Sequence, residues 1–200
     1  MNGQFPWYVA RSAGLVAWAL LAASVLWGLA LSTKILSPKV RPNWILDLHR
    51  WLGGLALTFT GIHVGSLLFD TYVHFGPVSV LVPFATRWHP GAVAWGVVSL
   101  YLLAAVEITS LLRARIPKSL WRKTHFLSFV LFVTSTFHGL TAGTDTGATM
   151  LRIGALMTGS LVAGLTAARV LEALAPSPPA RPRTIPLPAD GPRPGRRLHP

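Results

Sequence analysis

The sequence predicts an all-α integral membrane protein, a bundle of about five transmembrane helices with the amino terminus outside and the carboxyl terminus in the cytoplasm. Three observations carry this. Hydrophobic residues make up 52% of the 200-residue chain and charged residues only 12%, whereas a soluble domain is about a quarter charged. The apolar residues gather into five runs of roughly 20, the length an α-helix needs to cross about 30 Å of hydrocarbon. The basic residues fall almost entirely on one side of those runs, as the positive-inside rule requires.

The first predicted span is Ser12–Leu31. Its basic neighbours mostly follow the apolar run instead of preceding it, so it reads as a retained span and not as a cleavable signal peptide. The separator LSPKVRPN (36–43) leads to the second span, Trp44–Phe69, and the proline- and glycine-bearing FGPVSVLVPFATRWHPG (75–91) leads to the third, Gly91–Leu112. RARIPKS (113–119) precedes the fourth, Leu120–Leu140, and the fifth is Met150–Leu171. With the amino terminus outside, only Arg11, Arg87 and Arg152 of the 18 Lys and Arg lie on the exterior. Topology thus explains the net charge of +12, and no folded basic domain remains to bind nucleic acid. The predicted organisation is a transmembrane domain over residues 1–172 and a cytoplasmic tail over 173–200. That tail holds nine prolines and five arginines in 28 residues and too few apolar groups to offset the entropy of folding. Its arginines are placed to meet anionic lipid headgroups.

Zero cysteines exclude disulfides, thiolate zinc sites, cysteine-held iron–sulfur clusters and covalently attached c-type haem. Any metal must be held by histidine or carboxylate. Four of the seven histidines lie inside predicted spans, His49 and His63 on the second, His125 and His138 on the fourth. Ionisable groups in a bilayer are costly and usually have a partner that accounts for them. His49 and His63, 14 residues apart, stand about 21 Å apart along a helix and some 40° apart around it; the 13 residues from His125 to His138 span about 20 Å, with an offset of some 140°. Helix tilt, a π-bulge or haems lying on different sides could each absorb that offset. Both helices run from cytoplasm to exterior, so two imidazoles face each other at each of two depths. Such pairs suit two stacked bis-histidine haems better than zinc, which needs three or four converging ligands. The simpler alternative for each histidine is a hydrogen bond within the bundle.

HRWLGGLALTFTGIHVG (49–65) and WRKTHFLSFVLFVTSTFHGLTAGTD (121–145) resemble the ferric reductase-like transmembrane domain. It is found in NADPH oxidases, ferric-chelate reductases and the haem-bearing membrane partner of bacterial methionine sulfoxide reductase. The resemblance covers roughly residues 10–172 and includes both histidine spacings. It implies that His49 and His125 ligate an inner haem b, and His63 and His138 an outer one. Unlike the NADPH oxidases, the sequence shows no flavin- or nicotinamide-binding domain, and no glycine-rich phosphate loop follows a strand pattern.

Arg50 and Arg122, with Lys123, adjoin the inner ligands and are candidates to pair with haem propionates; topology and lipid contact account for them equally well. Gly53, Gly54, Gly61 and Gly65 would let a flat porphyrin approach the backbone, or, as the GxxxG pair Gly61 and Gly65, would pack helices. Phe126, Phe129 and Phe132 fit a lipid-facing place, core packing or a place between porphyrins. Glu107 is the sole acid well inside a span, with Arg50 or Arg113 as expected partners. His74 and His89, with Asp70 and Asp145, are loop residues whose simplest reading is solvation, an iron-binding patch being the sharper one. The tryptophans belong to an aromatic belt.

The function expected is that of a dihaem b-type cytochrome of the cell membrane, an oxidoreductase component. It would pass electrons from a cytoplasmic flavin reductase or quinol to an external acceptor: a ferric chelate, oxygen or a periplasmic redox protein. The rival classes are a non-redox membrane protein, whose histidines serve packing, and a haem sensor or carrier.

Overall fold

No predicted span has a proline beyond its first turn, so nothing interrupts the hydrogen-bond ladder of any of them. In the computed structural model, which describes residues 5–33, 42–71, 73–142 and 149–174, each span is one continuous helix. The helices are α1 Phe5–Thr33, α2 Pro42–Leu68, α3 Pro77–Leu81, α4 Pro90–Leu111, α5 Lys118–Ala142 and α6 Thr149–Leu174. All but α3 are long and apolar enough to cross a membrane. The described residues contain no strand. This is a multi-pass integral membrane protein.

Two departures from the sequence reading matter. α1 begins at Phe5 and not at Ser12, because Arg11 does not break a helix and a long basic side chain at a membrane face can carry its charge to water. The added turns bring Ala10 into the bundle, where it is 1% exposed. The segment read as a plain separator between the second and third spans contains the short α3, whose Val80 packs with Phe75, Val93 and Val97. In this segment His74, Phe84 and His89 adopt positive φ. The tail beyond Leu174, the separator at 34–41 and Asp145 lie outside the described residues.

Two antiparallel hairpins make the bundle, α1 against α2 and α4 against α5. α1 also touches α5 and α6, and α2 touches α4, but α2 and α5 are not packed backbone to backbone. The interior is built of small residues: Ala10, Ala13, Ala22, Ala56, Ser24 and Ser99 are all buried. Lipid is as apolar as leucine, so helices in a membrane associate through close backbone approach and interhelical hydrogen bonds instead of by burying large side chains. One such bond runs from Trp18 Nε1 to Thr136 Oγ1 at 2.9 Å, another from Ser99 Oγ to Thr134 Oγ1 at 2.8 Å. Leu111, Val133, Leu156 and Met157 point outward, as a surface solvated by acyl chains allows.

Candidate functional site: two imidazole pairs between α2 and α5

Because α2 and α5 run in the same direction with similar histidine spacing, their imidazoles meet twice. The rings of His49 and His125 lie with centroids 6.0 Å apart and planes at 77°. Those of His63 and His138 lie 6.3 Å apart at 73°. α5 is α-helical throughout, so no π-bulge absorbs the 13-residue offset, and His125 and His138 each still reach their partner.

The neighbouring helices hold three of the four rings by Nδ1. His63 Nδ1 is 2.7 Å from the Ala10 carbonyl, His138 Nδ1 is 2.8 Å from the Ala92 carbonyl, and His49 Nδ1 is 3.0 Å from the Ser24 carbonyl and 3.2 Å from the Ser24 hydroxyl. A carbonyl only accepts, so Nδ1 carries the hydrogen in each and Nε2 keeps its lone pair. That is the tautomer a metal ligand needs, and a carbonyl holding the second ring nitrogen is the usual outer support of a ligating histidine.

Sequence reasoning missed what makes these hydrogen bonds accessible. Each acceptor has a glycine four residues further on: Ala10 and Gly14, Ser24 and Gly28, Ala92 and Gly96. The Cα–Cβ bond in a helix tilts toward its amino terminus, so a side chain at that position would overhang the carbonyl. A Cβ on Gly14 would come 2.9 Å from His63 Nδ1, one on Gly28 3.2 Å from His49 Cε1, and one on Gly96 2.7 Å from His138 Cε1. A signal was present: Gly14 and Gly28 repeat the 14-residue interval of His49 and His63. Of the glycines singled out from sequence, Gly54, Gly61 and Gly65 have open space where a Cβ would sit, and Gly53 instead makes room for the Glu107 carboxylate.

The residues fit a haem held by two axial imidazoles. At about 2 Å per metal–imidazole bond, two rings on opposite sides of one metal place their centroids roughly 6 Å apart, which is the separation at both levels. An apolar cavity bordered by Trp18, Leu100 and Leu131 opens onto His63 and His138. Zinc fits less well, since no group of three or more metal-binding side chains exists among the described residues.

The remaining candidates scatter. Arg50 and Arg122 are exposed, with Arg50 Nη1 3.3 Å from Asp47 Oδ1. Arg113, expected near Glu107, lies over the Trp121 ring at 4.4 Å, and Trp121 in turn stacks on His125 at 5.2 Å. This tryptophan does more than anchor the chain. Phe132 is buried against α1 and α6 with Phe129 beside it, which is core packing, while Phe126 points outward. Asp70 Oδ2 accepts the Val73 N–H and His89 sits against Trp88.

Residues 13–136 match the family described as ferric reductase like transmembrane component. That span contains His49, His63 and His125 and ends two residues before His138. No curated protein and no solved structure matches the chain.

Proposed function

The chain belongs to the ferric reductase-like transmembrane family, and from that premise we propose that it is a dihaem b-type cytochrome carrying single electrons across the membrane. The single observation that supports this best is the meeting of two imidazole pairs at bis-axial separation, 6.0 and 6.3 Å. His49 and His125 would hold one haem and His63 and His138 the other. When bound, each group supplies a one-electron iron couple.

The protein's own part is placement. The Ala10, Ser24 and Ala92 carbonyls fix the Nδ1–H tautomer and aim Nε2 inward. Held by two imidazoles, each haem would suit outer-sphere electron transfer and would leave no position at the metal for oxygen. The cavity beside the His63 and His138 rings has mostly apolar walls. Arg50 and Arg122 adjoin the His49 and His125 level in sequence and would neutralise propionates there. The basic-residue asymmetry puts that level on the cytoplasmic side. The donor is then a cytoplasmic flavoprotein or quinol, and the acceptor is external: a ferric chelate, oxygen or a redox protein.

The test is reduced-minus-oxidised spectroscopy on the purified chain, with pyridine haemochrome to count haem. Two haem b per chain are expected. Colourless protein from cells supplied with haem precursors would overturn the proposal and return the histidines to packing.

A further inference from the structure

His125 is the exception among the four imidazoles: its Nδ1 is buried and has no hydrogen-bond partner. The pattern of the other three shows where a partner belongs. Each takes a carbonyl at one position and a glycine four residues later, and on α1 the pattern repeats after 14 residues, from Ala10 and Gly14 to Ser24 and Gly28. On α4 the pair that serves His138 is Ala92 and Gly96. Fourteen residues further lie Val106 and Ser110. The glycine position is therefore filled by serine at the one level where the imidazole lacks its carbonyl.

The register of α4 against α5 brings Ser110 to the height of His125. The register of α4 against α5 is pinned on one side by Gly96 at His138 and by the Ser99 to Thr134 hydrogen bond, and on the other by Arg113 over Trp121. Ser110 falls between those contacts on α4, as His125 does on α5. The Ser110 hydroxyl is itself buried without a partner. That is unusual here, because Thr58, Thr60, Ser99, Thr109, Thr158 and Thr166 all return their hydroxyls to the carbonyl four residues back. The Val106 carbonyl, the acceptor the pattern would assign, already receives Thr109 Oγ1 at 3.2 Å, and the Ser110 Cβ overhangs it. Trp121 cannot take the imidazole hydrogen: its Nε1 is only a donor and its ring lies 23° from parallel to that of His125.

We infer that Ser110 is the positioning residue of His125, its hydroxyl oxygen accepting the Nδ1–H in the place a helix carbonyl serves for the other three imidazoles. A rotation of the serine about χ1 between staggered wells is enough to aim the oxygen. The effect on iron rests on the paired-haem reading. A hydrogen bond from Nδ1–H makes the ring a stronger electron donor and favours ferric iron, so its strength sets the potential of the His49 and His125 level independently of the other.

The experiment is potentiometric titration of the purified haem-loaded chain, with electron paramagnetic resonance of the ferric state, on Ser110→Ala, Ser110→Thr and Ser110→Gly. Ser110→Ala removes the hydroxyl and keeps the overhanging Cβ. One of two midpoints should move to more positive potential, or its haem should be lost, while the other stays unchanged. Ser110→Thr should retain the wild-type value. Ser110→Gly should also retain or lower it, because glycine uncovers the Val106 carbonyl. A purely structural role gives the reverse order, since glycine weakens a helix more than alanine does. Equal behaviour of Ala and Gly, movement of both midpoints, or an unchanged Ser110→Ala would overturn the inference. If the wild type holds no haem, the paired-haem reading falls by itself. Nitrogen-15 magnetic resonance of histidine-labelled, haem-free chain then decides the hydrogen bond, through a His125 Nδ1–H signal that shifts in Ser110→Ala and not in Ser110→Thr.

Discussion

Replacing Gly96 by alanine sets two opposed effects of similar size against each other, and the structure says which one reaches the site. In a helix interior the substitution is favourable by about 1 kcal/mol. The new Cβ, however, would lie 2.7 Å from His138 Cε1 and 2.8 Å from its Nδ1, well inside the 3.4 Å at which ordinary contact begins. The ring must move, and the 2.8 Å hydrogen bond to the Ala92 carbonyl goes with it, at a net cost of about 1 kcal/mol. Global stability should therefore change little, while the His63 and His138 level is disrupted. Loss of the outer support of a ligating histidine typically lowers metal affinity roughly 10- to 100-fold. Thermal unfolding followed by circular dichroism reads the first quantity, and pyridine haemochrome with redox difference spectra reads the second. Gly61→Ala is the control, since its Cβ meets nothing within 4 Å and it should keep both haems. The reasoning is refuted if Gly96→Ala retains two haems with unchanged spectra, or if Gly61→Ala loses haem to the same extent.

Gly14→Ala and Gly28→Ala should follow in graded order, the first harming the His63 level more than the second harms the His49 level, because their closest approaches are 2.9 and 3.2 Å; haem per chain in parallel preparations gives the ranking. His63→Ala should leave one haem b per chain, still reducible by the donor but unable to reach an external acceptor, and retention of two haems would contradict the assignment. Trp18→Phe should destabilise the bundle by about 0.6 kcal/mol, the mean for membrane interhelical hydrogen bonds, through loss of the 2.9 Å contact with Thr136. A double-mutant cycle with Thr136→Val should show coupling of that order, and additivity would count against the bond.

How far the site was legible depended on what kind of signal each part leaves. The five spans were readable because hydrocarbon imposes a length and excludes charge, and four lie within about three residues of their helices, while α1 starts two turns earlier than read. The short α3 was not, since one turn between proline-rich flanks has no periodicity to detect, and its Val80 is buried only by partners from elsewhere in the chain. The histidine pairs could be named because imidazole is scarce inside a membrane and its spacing can be counted. The offset of His138 could not be resolved by counting, since it depends on how α5 leans against α2. Glu107 shows the same limit. Charge alone suggested Arg50 or Arg113, whereas packing placed its carboxylate at Gly53.

By itself the sequence determined the solvent this protein lives in, the number of its spans and the chemistry available inside them: four imidazoles, no thiol, one acid well inside a span. Tertiary structure alone decided which atoms hold three of those imidazoles. The holding groups are main-chain carbonyls of Ala10, Ser24 and Ala92 and the gaps left by Gly14, Gly28 and Gly96. Every residue owns a carbonyl and a glycine has no side chain to announce its purpose, so neither acquires a role until another helix is laid against it.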